Sequence, residues 1–319
     1  MKKSLSRGDS NSLLAQTRKL LRRYDIRANK GLGQHFLVDE QVLEAIIAAA
    51  ELSPNDTVIE VGPGLGIMTG ELAKRAGWVI AIELDNRLAD ILRETLQYEN
   101  VVILNEDVLG TDPAALLQGR APGFPSELSS YKVVANLPYY ITSPVLRHFL
   151  EAPVKPETMV VMVQKEVAEV IAAEAGKRSV LSIAVQFYGK PSIIAKVPAA
   201  SFFPAPEVDS AVVKIDVYRQ PPVAVDNAEG FFKLVRAGFK AARKQVANSL
   251  AQGLGLPKPE IQGLLAKAGI DPQRRAETFT LEEWANLWRV FSQLGVENEN
   301  HPKISLSPSL QKRDNSFEE

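Results

Sequence analysis

The chain has 319 residues, 45% of them hydrophobic, with a formal net charge of −1, three histidines and no cysteine. That length suits one large domain with a smaller companion. The lack of cysteine excludes disulfides, thiolate nucleophiles, zinc ribbons and cysteine-held iron–sulfur clusters. His35, His148 and His301 show no ligand spacing, so no metal site is expected. No apolar run is long enough to span a membrane and the basic N-terminus lacks a signal-peptide core, so a cytoplasmic protein is expected.

Charge is spread unevenly. Lys2, Lys3, Arg7, Arg18, Lys19, Arg22, Arg23, Arg27 and Lys30 stand against only Asp9 and Asp25 before His35. Ser12 to Tyr24 reads as a basic helix carrying Leu13, Leu14, Leu20 and Leu21. The glycines of Lys30-Gly31-Leu32-Gly33-Gln34-His35-Phe36-Leu37-Val38-Asp39 forbid a helix there. Such a loop either folds over a ligand or links the N-terminus to the domain. Asp39 can cap the next helix, whose apolar face is Val42, Leu43, Ile46 and Ile47.

Thr57 to Val61 is the first clear strand, followed by Gly62-Pro63-Gly64-Leu65-Gly66 and a helix from Met68 to Arg75. Trp78 to Ile82 is the second strand and ends on Glu83-Leu84-Asp85. A helix from Arg87 to Leu96 leads to a third strand, Val101 to Leu104, and to Asn105-Glu106-Asp107. Lys132 to Ala135 is a fourth strand and delivers Asn136-Leu137-Pro138-Tyr139. A helix from Ser143 to Leu150, a strand from Thr158 to Val163 and a helix over Gln164 to Ala175 follow; Val180 to Phe187 fits helix or strand by period, with helix favoured. Ser192 to Val197 reads as a strand and Phe202 to Ser210 as a proline-held loop. Ala211 to Val217 closes the sheet, antiparallel to the strand before it. Alternation of strands and helices implies a doubly wound, mostly parallel α/β sheet. Its special residues sit at the carboxyl ends of strands, where such sheets bind ligands.

Gln220-Pro221-Pro222 marks a boundary, after which the chain reads as all-α. Phe232, Val235, Phe239, Ala242, Val246 and Leu250 recur at helical spacing, which predicts one helix from Phe232 to Leu250. Lys233, Arg236, Lys240, Arg243 and Lys244 lie on its flank with no acid among them. Two basic patches on a neutral chain suit a polyanion such as RNA; a solvated face is the plainer reading of either patch alone. Further helices are expected over Pro259 to Ala268 and Leu281 to Leu294, and a disordered polar tail after them. The expected division is a basic N-terminal extension over residues 1–29, a ligand-binding α/β domain over 30–219, a helical RNA-binding domain over 220–295 and the tail over 296–319.

Two features carry chemistry. In Asn136-Leu137-Pro138-Tyr139, the Asn side chain and a free backbone carbonyl can accept both hydrogens of an exocyclic amino group, while Tyr139 offers a face to its ring. The alternative is a plain turn after a strand. Glu83, at the end of the second strand, is placed to bond a ribose diol, and Asp107 to accept from an adenine amino group.

The spacing Glu60-x-Gly62-x-Gly64-x-Gly66 resembles that of Rossmann-like S-adenosylmethionine-dependent methyltransferases. With Glu83, Asp107, Asn136 to Tyr139 and Phe202-x-Pro204-x-Pro206-x-Val208-Asp209-Ser210, the chain resembles the small-subunit ribosomal RNA adenine dimethyltransferase family. The likeness runs from Lys30 to about Leu294. Gly31 to Asp39 is similar to that family's N-terminal signature, with His35 where Asn is common; Tyr140 likewise stands where Asn is usual. Large-subunit erythromycin-resistance methylases share the first domain, but Arg243 to Leu250 and Asp271 to Glu277 are similar to the small-subunit enzymes. The resemblance implies transfer of two methyl groups to N6 of each of two adjacent adenosines in the 3′-terminal hairpin loop of 16S rRNA. It implies Asn136, Leu137, Pro138, Tyr139 and Phe202 as the catalytic set. His35, Leu37, Gly62, Gly64, Glu83, Asp107 and Asn136 would bind the cofactor, S-adenosylmethionine. The implied partner is 16S rRNA or an immature 30S subunit, met by a monomer. A non-enzymatic RNA-binding factor and a DNA adenine methylase are the competing readings; intact Glu83, Asp107 and Asn136 speak against the first and the helical C-terminal part against the second.

Overall fold

The computed structural model describes residues 12–29, 31, 33–118 and 130–298. Lys2, Lys3, Arg7, Lys30, His301 and residues 299–319 lie outside the described residues; residues 296–298, expected to open the disordered tail, instead belong to the last helix, which runs to Asn298. The chain divides into two compact units between Pro222 and Val223.

The first unit is built on a seven-stranded sheet in the order β4-β3-β2-β5-β6-β9-β7. Its strands are β2 (Thr57–Val61), β3 (Trp78–Ile82), β4 (Val101–Leu104), β5 (Lys132–Asn136), β6 (Thr158–Gln164), β7 (Gly189–Val197) and β9 (Ser210–Val217). β2 to β6 run parallel; β9 is antiparallel to both β6 and β7. The expectation that Ala211 to Val217 closes the sheet is therefore corrected. That strand pairs with the one before it but lies inside the sheet, and β7 is the edge. The sequence agrees once this is seen: Ala211, Val212, Val213 and Ile215 are buried, whereas β7 is mostly open to solvent and carries Pro191, which an edge tolerates.

Helices cover the sheet because its strands are apolar on both faces. α2 (Glu40–Ala50) begins at Asp39, whose carboxylate accepts from the Gln41 and Val42 amides, and it buries Val42, Leu43, Ile46 and Ile47. α3 (Ile67–Ala73) follows β2, α4 (Asn86–Thr95) follows β3, and α5 (Pro113–Leu116) is a single turn after β4. α6 (Thr142–Leu150), α7 (Lys165–Ile171) and α8 (Val180–Tyr188) complete the unit; α7 stops four residues short of the expected Ala175. α1 (Leu13–Arg23) packs on this unit through buried Leu13 and Leu21. Lys132, at the start of β5, sends its ammonium to the Ala50 and Glu51 carbonyls at 3.2 and 2.7 Å and to Asp56 at 3.2 Å. It thus satisfies carbonyls left open where α2 ends.

The second unit is helical: α9 (Ala228–Phe239), α10 (Val246–Leu254), α11 (Lys258–Lys267) and α12 (Leu281–Asn298). The single helix expected from Phe232 to Leu250 is broken. Residues 240–245 form a turn, and α10 folds back on α9. The apolar spacing continues through the turn, which is why period alone missed it. Other bonds stabilise the break: Ser249 Oγ donates to the Ala241 carbonyl at 2.9 Å, and the Val246 amide to the Arg274 carbonyl at 2.7 Å. Ala242, expected on the apolar face, is exposed. α9 and α10 approach at Gly253, where an added Cβ would lie 2.6 Å from the Ala237 Cα. Gly→Ala inside a helix ordinarily stabilises by up to about 1 kcal/mol. Here the contact is with backbone, so Gly253→Ala should instead destabilise by about 1–3 kcal/mol. Denaturant unfolding of the two proteins checks this; equal or greater stability of the variant would mean the helices can part at no cost.

Candidate active site

In an open α/β sheet the ligand crevice opens where strand order reverses. Here the chain runs β2-β3-β4 in one direction and β5-β6 in the other, so the reversal lies between β2 and β5. A cavity of about 370 Å³ opens at the carboxyl ends of these strands. Gly62, Gly64, Glu83, Asp107, Asn136 to Tyr139, His35, Leu37 and Phe202 all line it, so the structure brings together every residue expected from the sequence in the α/β unit.

One wall is the glycine turn after β2. Gly62, Gly64 and Gly66 have φ of 70°, 60° and 77°, which L side chains rarely adopt. A Cβ on Gly64 would come within 3.3 Å of the Phe36 ring, and one on Gly66 within 2.8 Å of Leu92. Glu83 draws this turn toward β3: its carboxylate accepts from the Gly64 amide at 3.1 Å and the Asp85 amide at 2.9 Å. Burial raises the Glu83 pKa, and those backbone donors offset part of the rise. Asp107 is exposed and caps the turn after β4, with Oδ1 accepting from the Leu109 amide at 3.0 Å. Asn105, which sequence reasoning left without a role, donates to the Glu83 carbonyl at 2.8 Å and so ties the ends of β3 and β4 together.

The opposite wall is the end of β5. The Asn136 amide nitrogen donates to the His35 carbonyl at 3.1 Å, which directs Oδ1 elsewhere as an acceptor. Leu137 is buried, and its amide is taken up by the Met162 carbonyl at 3.1 Å. The Pro138 carbonyl accepts from the Ile141 amide at 3.1 Å and so forms the turn that presents Tyr139 and Tyr140. The Tyr139 hydroxyl bonds Ser210 Oγ at 2.9 Å; burial raises its pKa. Phe202 is 4% exposed and sits among Leu37, Val197 and Val212, with part of its ring on the cavity. Tyr140 is exposed at the rim.

A third element straps the two walls. β1 (Phe36–Leu37) pairs antiparallel with β8 (Phe202–Phe203), and the Val38 amide donates to the Ser201 carbonyl at 2.8 Å. Gln34 donates to the Asp85 carboxylate at 3.1 Å, on the Glu83 side. His35 reaches the Pro204 carbonyl at 2.8 Å, on the Tyr139 side. This strapping was not legible, because it depends on pairs up to 169 residues apart.

Glu60 is the site's exception. It lies on the central strand β2, is 0% exposed, and lines the cavity. Neither of its oxygens makes a hydrogen bond of ordinary geometry; Thr69 nearby offers only partial relief. Burial pushes its pKa up to about 8, with the Glu83 charge adding to the rise. A buried carboxyl facing a cavity, with a second acid beside it, suits a ligand that brings positive charge or hydrogen-bond donors. The native state binds the Glu60 proton more tightly than the unfolded chain does. Its contribution is therefore fully present below the unfolded value near 4.5 and is lost as pH rises toward about 8. Relative to Glu60→Gln, the protein without ligand should lose stability across that window by at most about 1.4 kcal/mol per pH unit. Unfolding of both at several pH values checks it; a gap independent of pH would show that Glu60 is already ionised.

Of the two basic patches expected to meet RNA, the C-terminal one lies in the second unit. Lys233 is ion-paired with Glu229 at 2.8 Å, and Arg236 is exposed on α9. Lys240, Arg243 and Lys244 are exposed on the turn rather than along a helix flank. Among the described residues no group of three or more His, Asp or Glu could hold a metal, and no helix is long and apolar enough to cross a membrane.

Residues 26–293 match the family described as ribosomal RNA adenine dimethylase. A protein of Dehalococcoides mccartyi named ribosomal RNA small subunit methyltransferase A is 53% identical over 86% of this chain and 92% of its own length. The crystal structure of a dimethyladenosine transferase from Plasmodium falciparum superposes with a TM-score of 0.68 at 25% identity, over 82% of this chain and 98% of that one. The 23S rRNA methyltransferase ErmE does so with a TM-score of 0.63 at 30% identity, over 81% of this chain and all of the other. A match over most of the length, on a Rossmann-like methyltransferase sheet, places this chain in the ribosomal RNA adenine dimethylase family.

Proposed function

We propose that this enzyme transfers methyl groups from S-adenosylmethionine to N6 of two adjacent adenosines in the 3′-terminal hairpin loop of 16S rRNA, two to each, during assembly of the small subunit. The small-subunit relatives support the choice of RNA, since ErmE shares the fold but acts on 23S rRNA. The observation that carries the chemistry is the Asn136 amide, held at its nitrogen by the His35 carbonyl on the cavity wall.

The cavity's donors and acceptors fit the cofactor. Glu83 keeps lone pairs beyond the two backbone amides it accepts from, enough for a ribose diol. Asp107 Oδ2 suits an amino group, and the positive-φ glycines allow close backbone approach. The orphaned Glu60 carboxyl suits the cationic methionyl end. When bound, the cofactor supplies an electrophilic methyl on a sulfonium.

The rest falls to this chain's own residues. An adenine amino group is a poor nucleophile because its lone pair is delocalised into the ring. Asn136 Oδ1 and a backbone carbonyl at Leu137 or Pro138 accept its two hydrogens, which favours a pyramidal nitrogen with its lone pair toward the donor. No strong base is needed, because the nitrogen's proton becomes acidic on alkylation. Tyr139 stacks on the base, and Phe202 closes the slot from the other side. A loop adenosine is the least costly to unstack.

Asn136→Ala removes an acceptor that matters most as the nitrogen pyramidalises. Turnover should fall by roughly 10²–10³, with RNA binding little changed. Single-turnover methylation of unmethylated 30S particles measures this, and full activity would reduce the clamp to a plain turn.

Lys240 and Arg243, exposed on the turn between α9 and α10, are proposed to contact rRNA phosphates. Reversing both to Glu should weaken RNA binding and flatten its salt dependence by about two phosphate contacts, without changing cofactor affinity. An unaltered salt slope would mark the turn as merely solvated.

A further inference from the structure

The turn after Pro138 carries two tyrosines, and the slot uses one of them. Tyr139–Ile141 form a 3₁₀ turn, in which successive side chains point about 120° apart. Each of the three therefore takes its own direction. Tyr139 reaches toward β9, its hydroxyl bonded to Ser210 Oγ at 2.9 Å. Ile141 packs on the core of the sheet. Tyr140 takes the remaining direction, out of the turn. It lines the mouth of the cavity and is 56% exposed, the most open large apolar side chain among the described residues. The strap meets it at one ring edge: a Cβ on Gly33 would stand 3.8 Å from Tyr140 Cε1.

A single exposed aromatic side chain is ordinary on a protein surface. The place of this one is not, because it stands at the mouth of a slot that takes a base. A base drawn into the slot leaves its stack, and the base beside it on the strand loses a partner at the same moment. The two share one phosphodiester, so the neighbour is brought to the mouth as the target enters. A flat, open ring there replaces the lost partner. Stacking asks only for a π face, so it accepts a neighbouring adenine whether its amino group is free or already dimethylated. Tyr139 cannot serve both bases, since its face belongs to the slot and the next side chain along the turn points elsewhere.

We propose that Tyr140 is a second stacking platform, outside the slot, which holds the nucleobase next to the flipped adenosine. The proposal rests on the reading of the Asn136–Tyr139 wall as the site of methyl transfer. The slot is chiral, so the strand runs through it in one direction and Tyr140 meets the neighbour on one fixed side of the target. Two adjacent adenosines take the slot in turn. That neighbour is the other adenosine in one of the two registers and an outer nucleotide in the other.

The test uses the full-length protein, S-adenosylmethionine and unmethylated 30S particles. Tyr140→Ala should lower kcat/KM for the particles by roughly 5- to 150-fold, the range of one base–aromatic stack. The loss should fall mainly on KM, since the stack exists before the methyl group moves. Tyr140→Phe keeps the face and should recover most of it. The S-adenosylmethionine dissociation constant, measured by calorimetry, should not change in either variant, which also reports that they fold. Particles rebuilt with a synthetic 3′ segment of 16S rRNA then locate the contact. An abasic nucleotide replaces one adenosine or the other, and methylation of the remaining adenosine is followed. In one of the two particles Tyr140→Ala should cost less than about threefold, because the base it stacks on is gone; in the other the loss should persist. Wild-type kinetics of Tyr140→Ala on intact particles would overturn the proposal. So would a full loss on both abasic particles, which would put the contact elsewhere on the RNA. A Tyr140→Phe variant as slow as Tyr140→Ala would also overturn it and give the role to the hydroxyl, and a weakened cofactor dissociation constant would make Tyr140 a cofactor contact instead. These outcomes are separate from the functional reading, which stands or falls on wild-type methylation and its loss in Asn136→Ala.

Discussion

The site depends on the adjacency of β2 and β5. Parallel pairing of Glu60 with Val134 and Val61 with Ala135 brings two strand ends to the same level. The chain leaves β2 through a glycine turn and β5 through Asn136, and a Cβ on Gly62 would lie 3.7 Å from the Asn136 carbonyl. A methyl donor and an amino acceptor must meet within a few ångströms and in line. Neighbouring strand ends deliver the two half-sites at that separation without a long loop. The flanking strands add the rest: β3 presents Glu83, and Asp107 follows β4 on the turn that it caps.

Most of this was legible because it is local. β2 to β6 are short runs rich in Val and Ile, each followed by a turn or the start of a helix, and chain order alone puts their loops on one edge of the sheet. Capping by Asp39 follows from a three-residue pattern, and the site residues from their places at strand ends. What failed was long-range. The position of Ala211 to Val217 inside the sheet depends on its pairing with β6, about fifty residues earlier in the chain. The break at residues 240–245 depends on Ser249 and on the Arg274 carbonyl, neither of which disturbs the apolar period. The roles of Lys132 and Asn105 as tethers could not be read either, since a lysine at the start of a strand and an asparagine after one look like surface residues.

Glu60 shows how the site departs from what a stable core would choose. A carboxyl at the centre of a parallel sheet, with no more than partial relief from Thr69, disfavours its own ionisation and costs stability wherever it must be charged. Thr or Gln would fit a polar strand position better. The strain is tolerable because it falls at a cavity wall, where a ligand's donors can meet the carboxyl. Local rules broken without compensation inside the fold tend to mark binding sites. The neighbouring Glu83 is the contrast: also a glutamate and also buried, it is relieved by two backbone amides.

The segment from Gly33 to Asp39 joins these halves. It touches the Glu83 wall through Gln34 and Asp85, and the Asn136 wall through His35. It is itself held by a two-residue strand pair, the Val38 amide on Ser201, and Ser201 Oγ donating to Asp39 at 2.7 Å. Few bonds hold it, each worth about 1 kcal/mol net, so opening it costs far less than disturbing the seven-stranded sheet. Yet both walls use it, since the Glu83 side and the Asn136 side share one strap. Gln34, bonded to Asp85, is next in the chain to His35, whose carbonyl holds the Asn136 amide. The two walls are thereby tied through adjacent peptide units rather than through the sheet.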